Sequence, residues 1–561
     1  MSVEEFKYAR DYLLALRDNY PLAKARFAWP KLERFNWALD WFDGELAQGD
    51  EGERPALRIV GDKVEVYSFA ELSEASSRVA NGLRALGARR GDRLLMTLGE
   101  VAPLWIASLA ATKLGLVVVP APAQLAAADI DDRFARGRVR FVLAEAADAG
   151  RFVDRGDGVI RIAVGQPTPP GWRDWAELTE HGAHFEPDGP TRASDPLLVY
   201  FTSGSTALPQ LVVHSHASYP VGHLSTMFAL GLKPGDRHLD VTSPGWAKHA
   251  WSSFFAPWNA GACVVALAGR FDARATLDAL AAQAIDSFCA PPTVWRQLVR
   301  LDLGRWNVAL REVCSSGEPL AADLIDQVLS GWGLTLRDCY GQTETTMMVG
   351  NPPGQKVVIG AMGRALPGYR VVLLDIEGLE SDVGEIALPL APRPLGLMRG
   401  YQAEDGEPAP IDADYYRTGD LASRDAEGYF TFLGRVDELF KSSDYRVSPF
   451  ELESALLEHP AVAEAAVTAA PDPIRLAVPK AYVTLVEGSA PDRETARSIF
   501  AFLRKRLAPY KRVRRIEFGA LPKTLAGKIR RLELRARERE LAEVRARAAG
   551  EFRVEDFPEL R

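Results

Sequence analysis

The chain has 561 residues, 47% of them hydrophobic and 25% charged, with a formal net charge of −8. On length alone this is about three to four cores' worth of chain, and the acidic balance argues against a nucleic-acid partner. No apolar run approaches the roughly 20 residues that span a bilayer, and the opening MSVEEFKYARDYLLALRD is acidic early and lacks the apolar centre of a signal peptide, so a cytoplasmic protein without a membrane span is expected.

Ser2 and Glu5 have capping-box spacing ahead of an amphipathic first helix. From about residue 75, ELSEASSRVANGLRALG reads as a helix, DRLLMTLG as a strand, WIASLAATKLG as a helix, and LVVVPAP and RFVLAE as strands. The rhythm returns after residue 210 in HSHASYPVGHLSTMFALG, HLDVTS, ACVVAL and ATLDALAAQAIDSFCA. Strands alternating with helices imply parallel sheets covered on both faces. Around residues 360–435 the texture turns β-rich, with DAEG at 425–428 reading as a hairpin turn. Residues 435–450 are polar and carry neither clean period. After them AEAAVTAA, KAYVTLVEG, ETARSIFAFLRKRLAPY and RRIEFGA form a small α+β unit, which places a boundary near Asp437. The tail reads as a helix with Glu533/Arg537 and Glu543/Arg547 at i,i+4, its charges a solvated face.

The expected architecture is α/β: a large N-terminal body of two layered α/β subdomains plus a β-rich subdomain, with a small mobile α+β C-terminal domain. The expected domains are residues 1–434, a hinge at 435–440, and residues 441–561. Cys263, Cys289, Cys314 and Cys339 lack metal-ligand spacing and suit a reducing compartment. His214 and His216 form an HxH pair without further clustered ligands, so zinc is not expected.

Residues 200–216, YFTSGSTALPQLVVHSH, set a Gly/Ser/Thr loop between two apolar runs. Such a loop can wrap an anion with backbone N–H groups and hydroxyls. It is not a Walker A loop, because no Gly-Lys-Ser/Thr follows. It is joined by SSGEP at 315–319, DCYGQTE at 338–344, YYRTGDL at 415–421, GRVDE at 434–438 and LPKTLAGK at 521–528. In this order the six segments resemble the adenylate-forming superfamily of acyl-CoA synthetases, luciferases and peptide-synthetase adenylation domains, over about residues 60–535. SPGWAKHAWSSFFAPW and FNWALDWFD look closest to medium-chain, aromatic and related acid–CoA ligases.

The resemblance implies an enzyme that joins a carboxylic acid to AMP from ATP, with Mg²⁺, and then transfers the acyl group to coenzyme A. It implies that Thr202, Ser203, Gly204, Ser205 and Thr206 cradle the terminal phosphates, that Thr343 meets the α-phosphate, and that Glu344 holds the metal. Ser316, Gly317, Glu318 and Pro319, with Asp338, Cys339, Tyr340 and Gly341, line the nucleotide. Asp420 holds the ribose beside Arg435, and Arg446 is a further cation. Trp246, Ala247, Lys248 and His249 border the acyl pocket, Ser316 and Gly341 contribute to its floor, Asp437 is the hinge, and Lys528 is the catalytic ammonium. Since acetate-specific relatives carry tryptophan at the place of Gly341, the resemblance also implies room for a medium-chain or aromatic acid.

Several positions depart from the pattern. Ala207 and Leu211 stand where glycine is common, and Gln210 replaces the usual lysine, keeping hydrogen-bond donors but no charge. Asp444 replaces a glycine beside the pantetheine path, which bears on coenzyme A as acceptor. A second reading therefore keeps the nucleotide chemistry with a different acceptor, as in an ATP-dependent diazotase that activates nitrite for an aryl amine. A third is a non-catalytic nucleotide-binding protein, against which Lys528, Glu344, Asp420 and Arg435 all speak. The sequence leaves open whether the chain forms a homo-oligomer.

Overall fold

The computed structural model describes residues 2–202, 209–442, 445–472, 476–523, 529–544 and 546–560. The chain divides into two compact units: residues 1–372, 388–416 and 426–430 form the first, and residues 373–387, 417–425 and 431–561 the second.

The first unit is built on two large sheets. In the eight-stranded one the order is Gly400–Tyr401, Gln210–Ser215, Pro196–Thr202, Val117–Pro120, Arg93–Thr97, Val139–Glu145, Ile160–Val164 and Arg173–Asp174. Its neighbours from Pro196–Thr202 to Arg173–Asp174 run parallel, as the alternating pattern requires. Pro196–Thr202 pairs antiparallel with Gln210–Ser215. The helix Phe69–Ala85 starts where Ser68 and Glu71 form a reciprocal capping box.

The nine-stranded sheet runs Arg364–Ala365, Met347–Gly350, Arg337–Gly341, Glu312–Ser316, Ser287–Ala290, Arg237–Asp240, Cys263–Leu267, Pro55–Val60 and Val64–Ser68. The run from Arg337–Gly341 to Pro55–Val60 is parallel and carries all four cysteines, buried and unlinked. Ligands of open parallel sheets gather at the carboxyl ends of the strands; here those ends carry Asp240, Ser316 and Gly341.

FNWALDWFD and SPGWAKHAWSSFFAPW pack on each other. Trp37 lies 5.6 Å from Phe254 and 5.2 Å from Phe255 between ring centroids, Phe42 lies 4.8 Å from Trp258, and Trp37 donates from Nε1 to Asn259 Oδ1 at 2.8 Å. Each fully buried ring contributes about 1.5–3 kcal/mol over exposure. Both segments include π-helical turns, Trp37–Leu46 and Trp251–Phe255, which the apolar pattern could not signal.

The structure corrects several readings. In HSHASYPVGHLSTMFALG only Leu224–Leu230 is helical; Pro220 brings no N–H, and the preceding residues form turns. Residues 435–450 contain a short antiparallel pair, Phe440–Ser442 with Tyr445–Val447, too brief to show a period. The first helix begins at Ser2, but the Glu5 carboxylate accepts from the Lys31 N–H. DAEG does join adjacent strands, Tyr415–Arg424 and Phe430–Arg435.

In the second unit a four-stranded sheet has the order Val462–Asp472, Leu476–Leu485, Arg515–Phe518 and Glu551–Arg553. The tail helix, Arg531–Glu543, is not a purely solvated face. Glu538 is buried, and its carboxylate meets Lys480 Nζ at 2.6 Å. Neither expected i,i+4 pair forms: Arg537 turns to Glu517, Glu533 to Arg530, and Arg547 to Asp556. For Arg537 and Arg547 the partners lie off the helix and are less exposed than the arginines, while Glu533 takes an exposed i,i+3 partner instead; exposed pairs along a helix are worth only about 0.3–0.5 kcal/mol, so such exchanges cost little. Glu517, Glu538 and Glu551 gather within metal-binding distance, but the Lys480 ammonium sits among them at 2.6–2.7 Å and supplies the cation. Among the described residues no helix is long and apolar enough to cross a membrane.

Candidate active site

The hydroxyl-rich loop leaves the first unit's sheet at Thr202 and returns at Gln210. These two residues face each other in register, and Thr202 Oγ1 donates to the Gln210 carbonyl at 3.3 Å. Ser203, Gly204, Ser205 and Thr206 lie outside the described residues, as do Ala207, Asp444 and Lys528. Gln210 is exposed at the strand's start, whereas Leu211 is buried in the sheet. At Leu211 the departure from glycine is absorbed by apolar packing.

Thr343 and Glu344 stand on the turn that follows strand Arg337–Gly341. Thr345 Oγ1 accepts from the Gln342 N–H at 3.0 Å, closing the turn on itself. From outside, His214 Nε2 donates to the Thr343 carbonyl at 2.7 Å, and Tyr401 OH donates to Glu344 Oε1 at 3.1 Å. The Met398 N–H donates to the Glu344 carbonyl at 2.7 Å, and Tyr416 OH reaches Gln342 Oε1 at 3.0 Å. A carboxylate and a hydroxyl are thereby held side by side by partners from three other segments. Burial lowers the His214 pKa to about 3, so the ring is neutral. Its Nε2 must carry the proton, because a carbonyl can only accept, and Nδ1 then accepts from Ser218 Oγ at 3.0 Å. The tyrosines and His214 were not legible as parts of this site. The HxH spacing drew attention only to zinc, while both histidines are fully buried, His214 in the strand Gln210–Ser215 and His216 in the turn after it.

Strand Glu312–Ser316 ends in Ser316, buried, followed by Gly317 at φ +97°, a left-handed conformation that favours glycine. Glu318 and Pro319 are half-buried, and Glu318 lies 3.8 Å from Arg296. Asp338 is buried, and its pKa rises to about 8 by burial, opposed by the Cys339 N–H. Cys339 is buried beside it and Tyr340 is half-buried. Gly341 has a reason of its own: a Cβ there would meet the Thr346 carbonyl oxygen at 2.3 Å. Backbone approach alone requires glycine at this position, whatever the acid.

Trp246 precedes a helix that starts with Ala247, Lys248 and His249. Trp246 and His249 border an apolar cavity of about 50 Å³. His249 Nε2 lies 3.3 Å from the Glu100 carboxylate. Burial pulls the His249 pKa down, but Glu100 outweighs it and the net direction is up. Lys248 Nζ is 3.6 Å from Asp240 Oδ1. Neither Glu100 nor Asp240 stood out in the sequence: Glu100 is remote from His249 along the chain, and Asp240 ends the strand just before the helix that carries Lys248.

In the second unit Arg435 bridges two carboxylates, Asp420 Oδ1 at 3.0 Å from Nη1 and Asp437 Oδ1 at 2.9 Å from Nε. Asp420 is buried, while Arg435 and Asp437 are more than one-third exposed. Arg446 lies in strand Tyr445–Val447, with its side chain outside the description.

Residues 45–402 match the AMP-binding enzyme family, and residues 451–528 match the AMP-binding enzyme C-terminal domain. The chain belongs to the AMP-binding enzyme family. It is 43% identical over 523 residues to 4-hydroxybutyrate–CoA ligase 1 of Metallosphaera sedula, covering 91% of this chain and 92% of that one. Among solved structures, the acyl-CoA synthetase of Brucella canis is 31% identical with a TM-score of 0.72, covering 94% of this chain and 100% of that one. A benzoate CoA ligase from Burkholderia xenovorans LB400 is 27% identical with a TM-score of 0.77, covering 89% and 100%.

Proposed function

We infer that this protein is an AMP-forming acid–CoA ligase. The observation that carries the reading is the family match across both parts of the chain, supported by a turn carrying Thr343 and Glu344 that is tied through His214 and Tyr401 to the strands Gln210–Ser215 and Gly400–Tyr401. In the first half-reaction an oxygen of the carboxylic acid bonds to the α-phosphorus of ATP, and pyrophosphate leaves with the electron pair of the broken P–O bond. In the second, the thiol of coenzyme A bonds to the acyl carbon, AMP leaves, and the thiol proton passes to solvent or base. Both reactants of the first step are anions, so the site's task is to neutralise charge where it accumulates.

In this reading Thr202, Ser203, Gly204, Ser205 and Thr206 hold the terminal phosphates and Thr343 the α-phosphate. Glu344, a hard oxygen donor, would hold Mg²⁺, which when bound neutralises phosphate charge. Ser316, Gly317, Glu318, Pro319, Asp338, Cys339, Tyr340 and Gly341 line the nucleotide. Asp420, with Arg435, serves the ribose side, Arg446 is a further cation for the phosphate charge that Gln210 leaves unmet, and Trp246, Ala247, Lys248 and His249 border the acid. Lys528 brings the ammonium that binds the attacking carboxylate. Residues 435–440 around Asp437 act as the hinge between residues 1–434 and 441–561. The acid is a medium-chain or aromatic one, or a hydroxy acid of the kind named for the Metallosphaera sedula relative, and the protein acts in the cytoplasm.

The test is incubation with ATP, Mg²⁺, coenzyme A and a panel of acids, with mass spectrometry of the products. An acyl-CoA thioester with stoichiometric AMP is expected. AMP release that depends on nitrite and an aryl amine, and not on coenzyme A, would overturn the reading. Lys528→Ala should slow adenylate formation about 10²–10³-fold while ATP binding persists; a normal rate would remove Lys528 from the mechanism.

A further inference from the structure

Arg531 opens the tail helix Arg531–Glu543, whose N-terminus has no side-chain cap. A cation at that end of a helix opposes the helix dipole. Two carboxylates of the second unit offset the penalty. Arg531 Nη2 lies 2.5 Å from Glu453 Oε2 and Nε 3.3 Å from Glu453 Oε1, a two-point grip, while Nη1 lies 3.3 Å from Glu438 Oε1. The Glu453 side chain is buried, and those of Arg531 and Glu438 are each 19% exposed. A planar guanidinium serves two carboxylates at fixed angles, which a single ammonium does not. For stability alone the grip on buried Glu453 would suffice; the arm to Glu438 ties in a further segment.

That segment is the assigned hinge. Glu438 follows Asp437, in a turn closed by the Leu439 N–H on the Arg435 carbonyl at 3.2 Å. One helical turn beyond Arg531, Arg535 Nη1 reaches the Asp437 carbonyl at 3.4 Å. Glu453 belongs to the helix Pro449–Leu457, and its Oε1 accepts from the Val467 N–H at 2.7 Å, on the strand Val462–Asp472. Arg531 lies three residues after Lys528, and the chain on either side of residues 524–528 is pinned. Lys523 and Ile529 form an antiparallel bridge, the Arg530 N–H donates to the Pro522 carbonyl at 2.8 Å, and Lys523 Nζ lies 2.6 Å from Glu464 Oε1. One guanidinium thus joins the hinge, the sheet of the second unit and the neck of the segment that carries Lys528.

We propose that Arg531 is a positioning residue which, through Glu438 and Glu453, fixes the neck of the Lys528 segment to the hinge, so that turning at Asp437 brings the ammonium to one place. This rests on the acid–CoA ligase reading and adds the residues that aim Lys528. An ammonium on a loosened neck is out of place for most encounters, and a misplacement of about 1 Å costs on the order of 10²-fold in rate.

The experiment follows the two half-reactions separately in the full chain, with an acid that the wild type turns over. Adenylate formation is read as pyrophosphate release in a single turnover. Thioester formation is read from synthetic acyl-adenylate and coenzyme A, a step in which Lys528 has no assigned part. Arg531→Met should slow the first about 10²-fold and Glu438→Gln, which leaves the Glu453 grip intact, about tenfold. In both variants thioester formation and KM for ATP should change little. Arg531→Lys, which keeps the charge without the fork, should fall between Arg531→Met and the wild type. The ratio of the two rates within one preparation is independent of how much of it is folded. Equal slowing of both steps, a larger loss in the thioester step, or a wild-type ratio in Glu438→Gln overturns the proposal. Absence of adenylate formation by the wild type with every acid overturns the ligase reading and this proposal with it.

Discussion

His214 donates from Nε2 to the main-chain carbonyl of Thr343 at 2.7 Å, tying the strand that follows the hydroxyl-rich loop to the turn that carries Glu344. The ring is fully buried and neutral. It therefore holds the turn without adding charge beside Glu344. His214→Phe should lower kcat/KM for adenylate formation about 10–100-fold and raise the Mg²⁺ concentration needed for half-maximal rate, as loss of a supporting partner does at other metal sites. His214→Gln, which keeps a donor, should recover part of the loss. Steady-state rates over a Mg²⁺ series check this; an unchanged Mg²⁺ requirement in His214→Phe would show a purely packing role.

Burial lowers the pKa of His214, His216 and His238 to about 3, from an ordinary 6.5. The unfolded chain then takes up protons that the folded one refuses as pH falls below 6.5. Stability from this source is complete above that pH and is lost towards pH 3, by about 2 kcal/mol per histidine at pH 5. His238 is held between Ser287 Oγ and Ser252 Oγ, both at 2.9 Å. Denaturant titrations between pH 7 and pH 5 should give a shallower pH slope for His238→Asn than for the wild type. An identical slope would mean that this ring contributes nothing to the acid sensitivity.

Arg435 holds Asp420 at 3.0 Å, and both are assigned to the ribose side of the nucleotide. Its partial exposure weakens the pair as a source of stability, so the effect belongs in binding. Asp420→Ala should raise KM for ATP about tenfold or more with little change in melting temperature. A KM that stays at the wild-type value, measured by pyrophosphate release, contradicts the assignment.

Asp437 accepts from Arg435 Nε at 2.9 Å within the assigned hinge. Proline at 437 fixes φ and also restricts the residue before it, so Asp437→Pro should slow thioester formation more than adenylate formation. Single-turnover measurements of each half-reaction separate the two. Equal slowing of both would argue against rotation about this point.

Lys480 meets Glu517, Glu538 and Glu551 at 2.6–2.7 Å. Burial pulls its pKa down, but the three carboxylates outweigh it and the net direction is up. Lys480→Met leaves the buried carboxylates without their shared cation and should destabilise the second unit by about 3–5 kcal/mol. Chemical denaturation of the full chain, followed by proteolysis at residues of that unit, reads the loss. A change below about 1 kcal/mol would mean that Arg537 and Arg553 suffice.

The sequence by itself determined the class of the fold, the order of the motifs and the chemistry they serve. The fold class rests on local rules, strand and helix periods and glycine where φ must be positive, whereas the chemistry came from the family resemblance that the six ordered segments carry. Tertiary structure alone decided which distant groups meet. His214 supports Thr343, Asp240 faces Lys248, Glu538 turns inward to Lys480, and Gly341 is forced by the Thr346 carbonyl. The physical reason is that a charge or donor has many possible partners along a chain, and its choice is settled only when packing removes water and brings residues from separate strands within hydrogen-bond range.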